Sequence, residues 1–137
     1  MKIAIVYDSR TGNTARAAEL MSKAFEKQGH QCQVKSVADA DPAEVSRADL
    51  ICLGSWTKGL YFIFQHATKE SLRFIRELDD LSGKPAVVFC TFKLATGKQL
   101  PRMARALEDK GAEVVGQFQY RGSAPDDRFN TFARSLI

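Results

Sequence analysis

At 137 residues, 45% hydrophobic and 26% charged, the chain has the length and balance of one soluble globular domain spanning 1–137. No apolar run nears the roughly 20 residues of a membrane-crossing helix. Met1-Lys2-Ile3-Ala4-Ile5-Val6 lacks the apolar core and cleavage site of a signal peptide, which points to the cytoplasm. The net charge is +4, but the 20 Lys and Arg are scattered over every helix and loop rather than gathered in a stripe, which argues against nucleic acid as a partner.

The first strand-like run, 2–7, is continuously apolar from Ile3 to Tyr7. It leads straight into Ser9-Arg10-Thr11-Gly12-Asn13-Thr14, which opens a helical run from Ala15 to Gln28 marked by Leu20, Met21, Ala24 and Phe25. Gly29 suits the position just past that helix, and His30 behind it is expected at the surface. A second strand at 31–36 alternates polar and apolar residues. Asp41-Pro42-x-Glu44 then starts a short helix, with a capping carboxylate and a proline in the first turn. The third strand, 49–55, is again apolar and delivers the loop Gly54-Ser55-Trp56-Thr57-Lys58-Gly59, with the only tryptophan. The irregular stretch from Ser55 to Ala67 contains Tyr61, Phe62, Phe64 and His66; so long and aromatic a loop is either functional or packed down. Leu72, Ile75 and Leu78 mark the next helix.

A fourth strand, 85–91, leads into Thr91-Phe92-Lys93-Leu94-Ala95-Thr96-Gly97. Thr96-x-x-Gln99 has the form of a capping box ahead of the stripe Leu100, Met103, Ala104, Leu107, and Gly111 suits that helix's end. The last strand, 113–120, carries Gln117 and Gln119. Ser123-x-x-Asp126 reads as a second capping box before Phe129, Phe132, Ala133 and Leu136.

Strands alternating with helices imply right-handed crossovers and a parallel sheet. Runs 1, 3 and 4 are apolar throughout, as strands covered on both faces should be, whereas runs 2 and 5 read as edges. The order 2-1-3-4-5 follows. It reverses direction between strands 1 and 3, where ligands bind beyond the carboxyl ends. The hydroxyl-rich loop and the tryptophan loop both leave the sheet there.

Residues 9–14 have the chemistry of a phosphate cradle. The N–H groups of a helix's first turn have no intrahelical acceptor, and the dipole favours an anion. Ser9, Thr11 and Thr14 add hydroxyl donors, Gly12 allows close backbone approach, and Arg10 is either a phosphate contact or a solvated charge. Asp8 caps or shapes the loop. Cys32, Cys52 and Cys90 are odd in number, far apart and inside strand-like runs, so they read as small reduced hydrophobes rather than metal ligands; Cys90, at a strand's carboxyl end, could instead lie beside a ligand. Motifs for nucleoside triphosphates and dinucleotides are missing, and none of the cysteines has the arginine a phosphatase loop needs.

Ser9-Arg10-Thr11-Gly12-Asn13-Thr14, Trp56 and the 91–97 loop together resemble the short-chain flavodoxins. That resemblance implies a flavodoxin-like α/β fold, a three-layer α-β-α sandwich around the five-stranded parallel sheet. It also implies non-covalent FMN. The phosphate would lie in residues 9–14, and the ring between Ser55, Trp56, Thr57, Lys58 and Gly59 on one side and Thr91, Phe92, Lys93 and Gly97 on the other. The function it implies is single-electron transfer between redox partner proteins. The chain departs from the family's usual acidity: it is net basic, has Arg10 inside the phosphate loop, and in the third loop carries Phe92, Lys93 and Lys98 where a tyrosine and acids are common. Acidic docking patches on the partners are the corresponding expectation. Two alternatives stand beside the carrier: an FMN-dependent reductase or oxidase of a quinone or tetrapyrrole, with residues 60–67 as a substrate wall, and a fold retained without its flavin.

Overall fold

The computed structural model describes residues 1–9, 12–56, 69–92 and 99–136. In chain order the elements are β1 (Lys2–Asp8), α1 (Asn13–Lys27), β2 (Gln31–Ser36), α2 (Pro42–Ser46) and β3 (Leu50–Trp56), then α3 (Lys69–Glu77), β4 (Pro85–Phe92), α4 (Gln99–Asp109), β5 (Glu113–Arg121) and α5 (Asp127–Ser135). The five strands form one sheet in the order β2-β1-β3-β4-β5, with every neighbouring pair parallel. The order read from strand hydrophobicity is the observed one.

Because successive strand residues point to opposite faces, the three central strands feed two separate cores. Ala4, Val6, Ile51, Leu53, Ala86, Val88 and Cys90 pack with Phe74 and Ile75 of α3 and with Met103 and Leu107 of α4. Ile3, Ile5, Leu50, Cys52, Val87 and Phe89 pack on the other face with Met21 and Phe25 of α1 and Phe129 of α5. Cys90 therefore points into the α3/α4 core, fully covered, and not toward the mouth of a ligand site. Burial pushes the Cys52 thiol far above its ordinary range, and the half-buried Cys32 is raised for the same reason. Both behave as the inert thiols expected.

Helix ends follow local chemistry. Asp41 caps α2 by accepting from the Ala43 N–H at 3.1 Å, with Pro42 in the first turn. Gly29 (φ 90°) and Gly111 (φ 96°) lie just past α1 and α4 in the left-handed conformation. At both ends the next N–H reaches back to close the turn, His30 to the Phe25 carbonyl at 3.3 Å and Ala112 to the Leu107 carbonyl at 3.1 Å. That turn folds His30 inward, so the expectation of a surface histidine is corrected. Its ring is only 8% exposed, edge-on to Phe25 with centroids 6.4 Å apart. A second correction concerns α5. Its cap is Asp126, which accepts from the Phe129 N–H at 3.1 Å, and not Ser123. Gly122 (φ 84°) turns the chain right after β5, so Ser123 falls within that turn, short of the helix. The box proposed at Thr96 lies outside the described residues.

Candidate functional site

Both loops that the sequence singles out emerge at the carboxyl ends of β1 and β3, with the end of β4 alongside. In the first, Ser9 shapes the turn: its Oγ accepts the Gly12 N–H at 3.1 Å. Gly12 sits at φ 91°, which an L side chain rarely tolerates, and a Cβ there would meet nothing within 4 Å. The glycine is thus required by backbone conformation, and the space before it is open. Helix α1 starts immediately after, its first internal bond running from Arg16 N–H to the Gly12 carbonyl at 2.9 Å. No side chain caps this helix, and its first turn holds no acid. By contrast α2, α3 and α5 place Glu44, Glu70 and Asp127 at their positive ends, as the dipole favours. The α1 terminus instead offers backbone N–H groups beside Ser9, Asn13 and the exposed Arg16. That donor set suits a phosphate monoester. Asp8, the last residue of β1, pairs in register with Ser55.

Thr14 takes a different position from the other hydroxyls. It is fully buried, and its Oγ1 lies 2.7 Å from Thr91 Oγ1 at the end of β4. The first loop is therefore anchored to the third by a hydroxyl pair.

Trp56 is not on a loop but is the last residue of β3, paired in register with Thr91. Likewise Thr91 and Phe92 still belong to β4, because pairing with β3 and β5 holds the strand straight to its end. Trp56 and Phe92 are the residues at which burial gives way: each strand is covered up to them and half-buried at them. Two large aromatic side chains thus stand at the ends of adjacent central strands, one step apart in register. Ser55 just before is fully covered, its hydroxyl donating to the Trp56 carbonyl at 3.1 Å. Gly54 is needed where it is: a Cβ there would come within 2.2 Å of the Phe89 ring.

Three features escaped the sequence reading. One is the Thr14–Thr91 pair. The second is Gly54, whose role depends on a neighbour 35 positions along the chain. The third is Arg121 at the end of β5, opposite Phe92 in register, its guanidinium carbon 5.6 Å from the Phe92 ring centroid. Once the strand order was known, matching strand ends would have exposed the last. Arg10, Thr11, Thr57, Lys58, Gly59, Lys93 and Gly97 lie outside the described residues, as do Tyr61, Phe62, Phe64, His66 and Lys98.

A helix start free of acids and side-chain caps at the β1/β3 switch point, with Trp56 and Phe92 at the neighbouring strand ends, defines a doubly wound protein with a place for a phosphate-bearing ligand. The family model described as "Flavodoxin domain" matches residues 4–137. The chain is 30% identical over 112 residues to a flavodoxin of Clostridium beijerinckii, covering 81% of this chain and 79% of that one. It is 36% identical over 120 residues to a flavodoxin of Maridesulfovibrio salexigens, covering 84% and 82%. In fold it superimposes on the two-electron reduced flavodoxin of Megasphaera elsdenii with a TM-score of 0.82, at 24% identity and 96% coverage of both chains. The chain belongs to the flavodoxin family, and it is an FMN-binding electron-transfer protein. The enzyme alternative is not favoured by these relatives. Among the described residues no helix is long and apolar enough to cross a membrane.

Proposed function

We propose that this flavodoxin holds the FMN phosphate with residues 9–14 and the flavin ring between residues 55–59 and the segment formed by Thr91, Phe92, Lys93 and Gly97. In this reading residues 1–137 work as a single unit in the cytoplasm and pass single electrons between proteins that present acidic docking patches. Bound FMN supplies the redox chemistry; the chain binds it, orients it and sets its charge environment. The observation that carries the reading is the adjacency of the uncapped, acid-free start of α1 to the half-buried Trp56 and Phe92. The Ser9–Gly12 turn keeps the α1 donors preorganised, so the anion is met by fixed N–H groups rather than by loops that must order. Trp56 and Phe92 exclude water from a planar ring, and an aromatic stack contributes about 1 kcal/mol beyond simple burial. Basic side chains such as the exposed Arg16 and Arg121 favour negatively charged surfaces over positive ones.

The test begins with the apoprotein, which takes up FMN with a yellow-shifted flavin band and prefers FMN to riboflavin. Failure to take up FMN overturns the site assignment. The reduced protein is then oxidised by hexacyanoferrate(III) and by hexaamminecobalt(III) at increasing salt. The acidic-partner reading requires the anionic oxidant to slow as salt rises and the cationic one not to.

A further inference from the structure

We propose that Arg121 is a positioning residue of the flavin site, which holds Phe92 in place and brings a positive charge to the end of β4, favouring the reduced cofactor. The proposal rests on the reading that Phe92 flanks the flavin. Three contacts tie the end of β5 to Phe92. The two residues are partners in the β4–β5 register. The Arg121 guanidinium carbon stands 5.6 Å from the Phe92 ring centroid, the distance of a cation–π pair. The next residue, Gly122, donates its N–H to the Phe92 carbonyl at 2.9 Å, and its φ of 84° turns the chain so that this bond can form. Phe92 is therefore gripped through both its backbone and its ring, and the side chain that grips the ring is charged.

The charge is not neutralised locally. No carboxylate pairs with Arg121 among the described residues, and the neighbouring β5 positions facing the same way are Gln117 and Gln119. The contact with the ring also holds the cation beside Phe92. Each electron added to the flavin makes the site more negative or takes up a proton. Where Phe92 flanks the flavin, a cation on Phe92 would make the negative product less costly.

The experiment uses the FMN-loaded protein as wild type, Arg121→Gln, Arg121→Lys and Phe92→Leu. Both one-electron couples are measured by spectral redox titration, and FMN affinity is measured by fluorescence titration of each apoprotein. Sulfite, whose adduct with oxidised flavin leaves negative charge on the ring, serves as a probe independent of electron transfer. We expect Arg121→Gln to weaken binding of the two-electron-reduced relative to the one-electron-reduced FMN about fivefold, a shift of the second couple by about 40 mV to more negative values at 59 mV per decade. Sulfite affinity falls in parallel, and Arg121→Lys restores at least half of both effects. An Arg121→Gln protein with unchanged couples and sulfite affinity overturns the proposal, as does a lysine variant that shifts as far as the glutamine one. Phe92→Leu separates the two layers of the argument. If it alters the flavin spectrum and FMN affinity while Arg121→Gln alters nothing, the site assignment stands and the role of Arg121 falls. If Phe92→Leu alters neither, both fall.

Discussion

The hydroxyls of Thr14 and Thr91 meet at 2.7 Å, both side chains almost fully covered, and so tie the first turn of α1 to the end of β4. One loop of the proposed flavin site is thereby fixed relative to another, across 77 residues of sequence. A buried hydroxyl deprived of its partner costs about 1–3 kcal/mol, whereas removing both partners costs much less than the sum. Thr14→Val and Thr91→Val should each lower apoprotein stability by about 1–2 kcal/mol in urea denaturation. The double variant should lose measurably less than the two added together. Strict additivity would mean the two hydroxyls do not act as a pair.

Gly54 and Phe89 are register partners on β3 and β4, and the ring of one occupies the space where a Cβ of the other would be. Gly54→Ala has to displace the ring into the core it shares with Tyr120, whose centroid is 6.1 Å away. Overpacking of this kind costs about 1–3 kcal/mol. The urea midpoint should fall accordingly, and Gly54→Ala combined with Phe89→Leu should recover part of the loss. A Gly54→Ala protein as stable as wild type would mean that the strand pair opens without cost.

The sheet order was legible because a doubly covered strand must be apolar at every position, while β2 and β5 could afford Gln33, Gln117 and Gln119. The turn into α1 was legible because it is local: Ser9 accepts the Gly12 N–H and the helix starts at Asn13. The rest depended on tertiary neighbours. Arg121 gains meaning only beside Phe92, Gly54 only beside Phe89, and Thr14 only beside Thr91. His30 was an avoidable error. Gly29 was correctly placed at the helix end, and the turn such a glycine makes brings the following residue against the residue three from the helix terminus, here Phe25. The α5 cap shows a different limit. Ser123 and Asp126 are both good capping residues, and only the turn at Gly122 decides between them.

Burial lowers the pKa of His30 below its ordinary value near 6.5, and the N-terminal ammonium, 3.1 Å from its Nδ1, lowers it further. Its Nε2 is buried without a hydrogen-bond partner, which also favours the neutral ring. The sign follows from linkage. Above pH 6.5 the folded and unfolded histidines are both neutral, and the contribution to stability is complete. As pH falls from 6.5 toward the lower folded value, only the unfolded chain takes up the proton, and stability is lost. Urea midpoints of the wild type should therefore decline below pH 6.5 more steeply than those of His30→Gln. Parallel profiles for the two proteins would show that His30 titrates alike in both states.

The phosphate and the ring of FMN make separable demands on the chain. Gly12 adopts φ 91° with open space around its missing Cβ, so Gly12→Ala introduces backbone strain of about 1–2 kcal/mol without a clash. That strain falls on the turn that presents the α1 donors, since the same glycine is held by Ser9. FMN should then bind about tenfold more weakly, equivalent to 1.4 kcal/mol. Riboflavin, which has no phosphate for those donors, should bind as before. Trp56→Leu acts at the other end, on the half-buried indole that closes β3. If the proposed stack is common to both ligands, its loss should weaken FMN and riboflavin by the same factor, again about tenfold. Fluorescence titrations of the two apoproteins with the two flavins give four dissociation constants. The assignment requires the FMN-to-riboflavin preference to collapse in Gly12→Ala and to survive in Trp56→Leu; the reverse pattern would exchange the roles of the two loops.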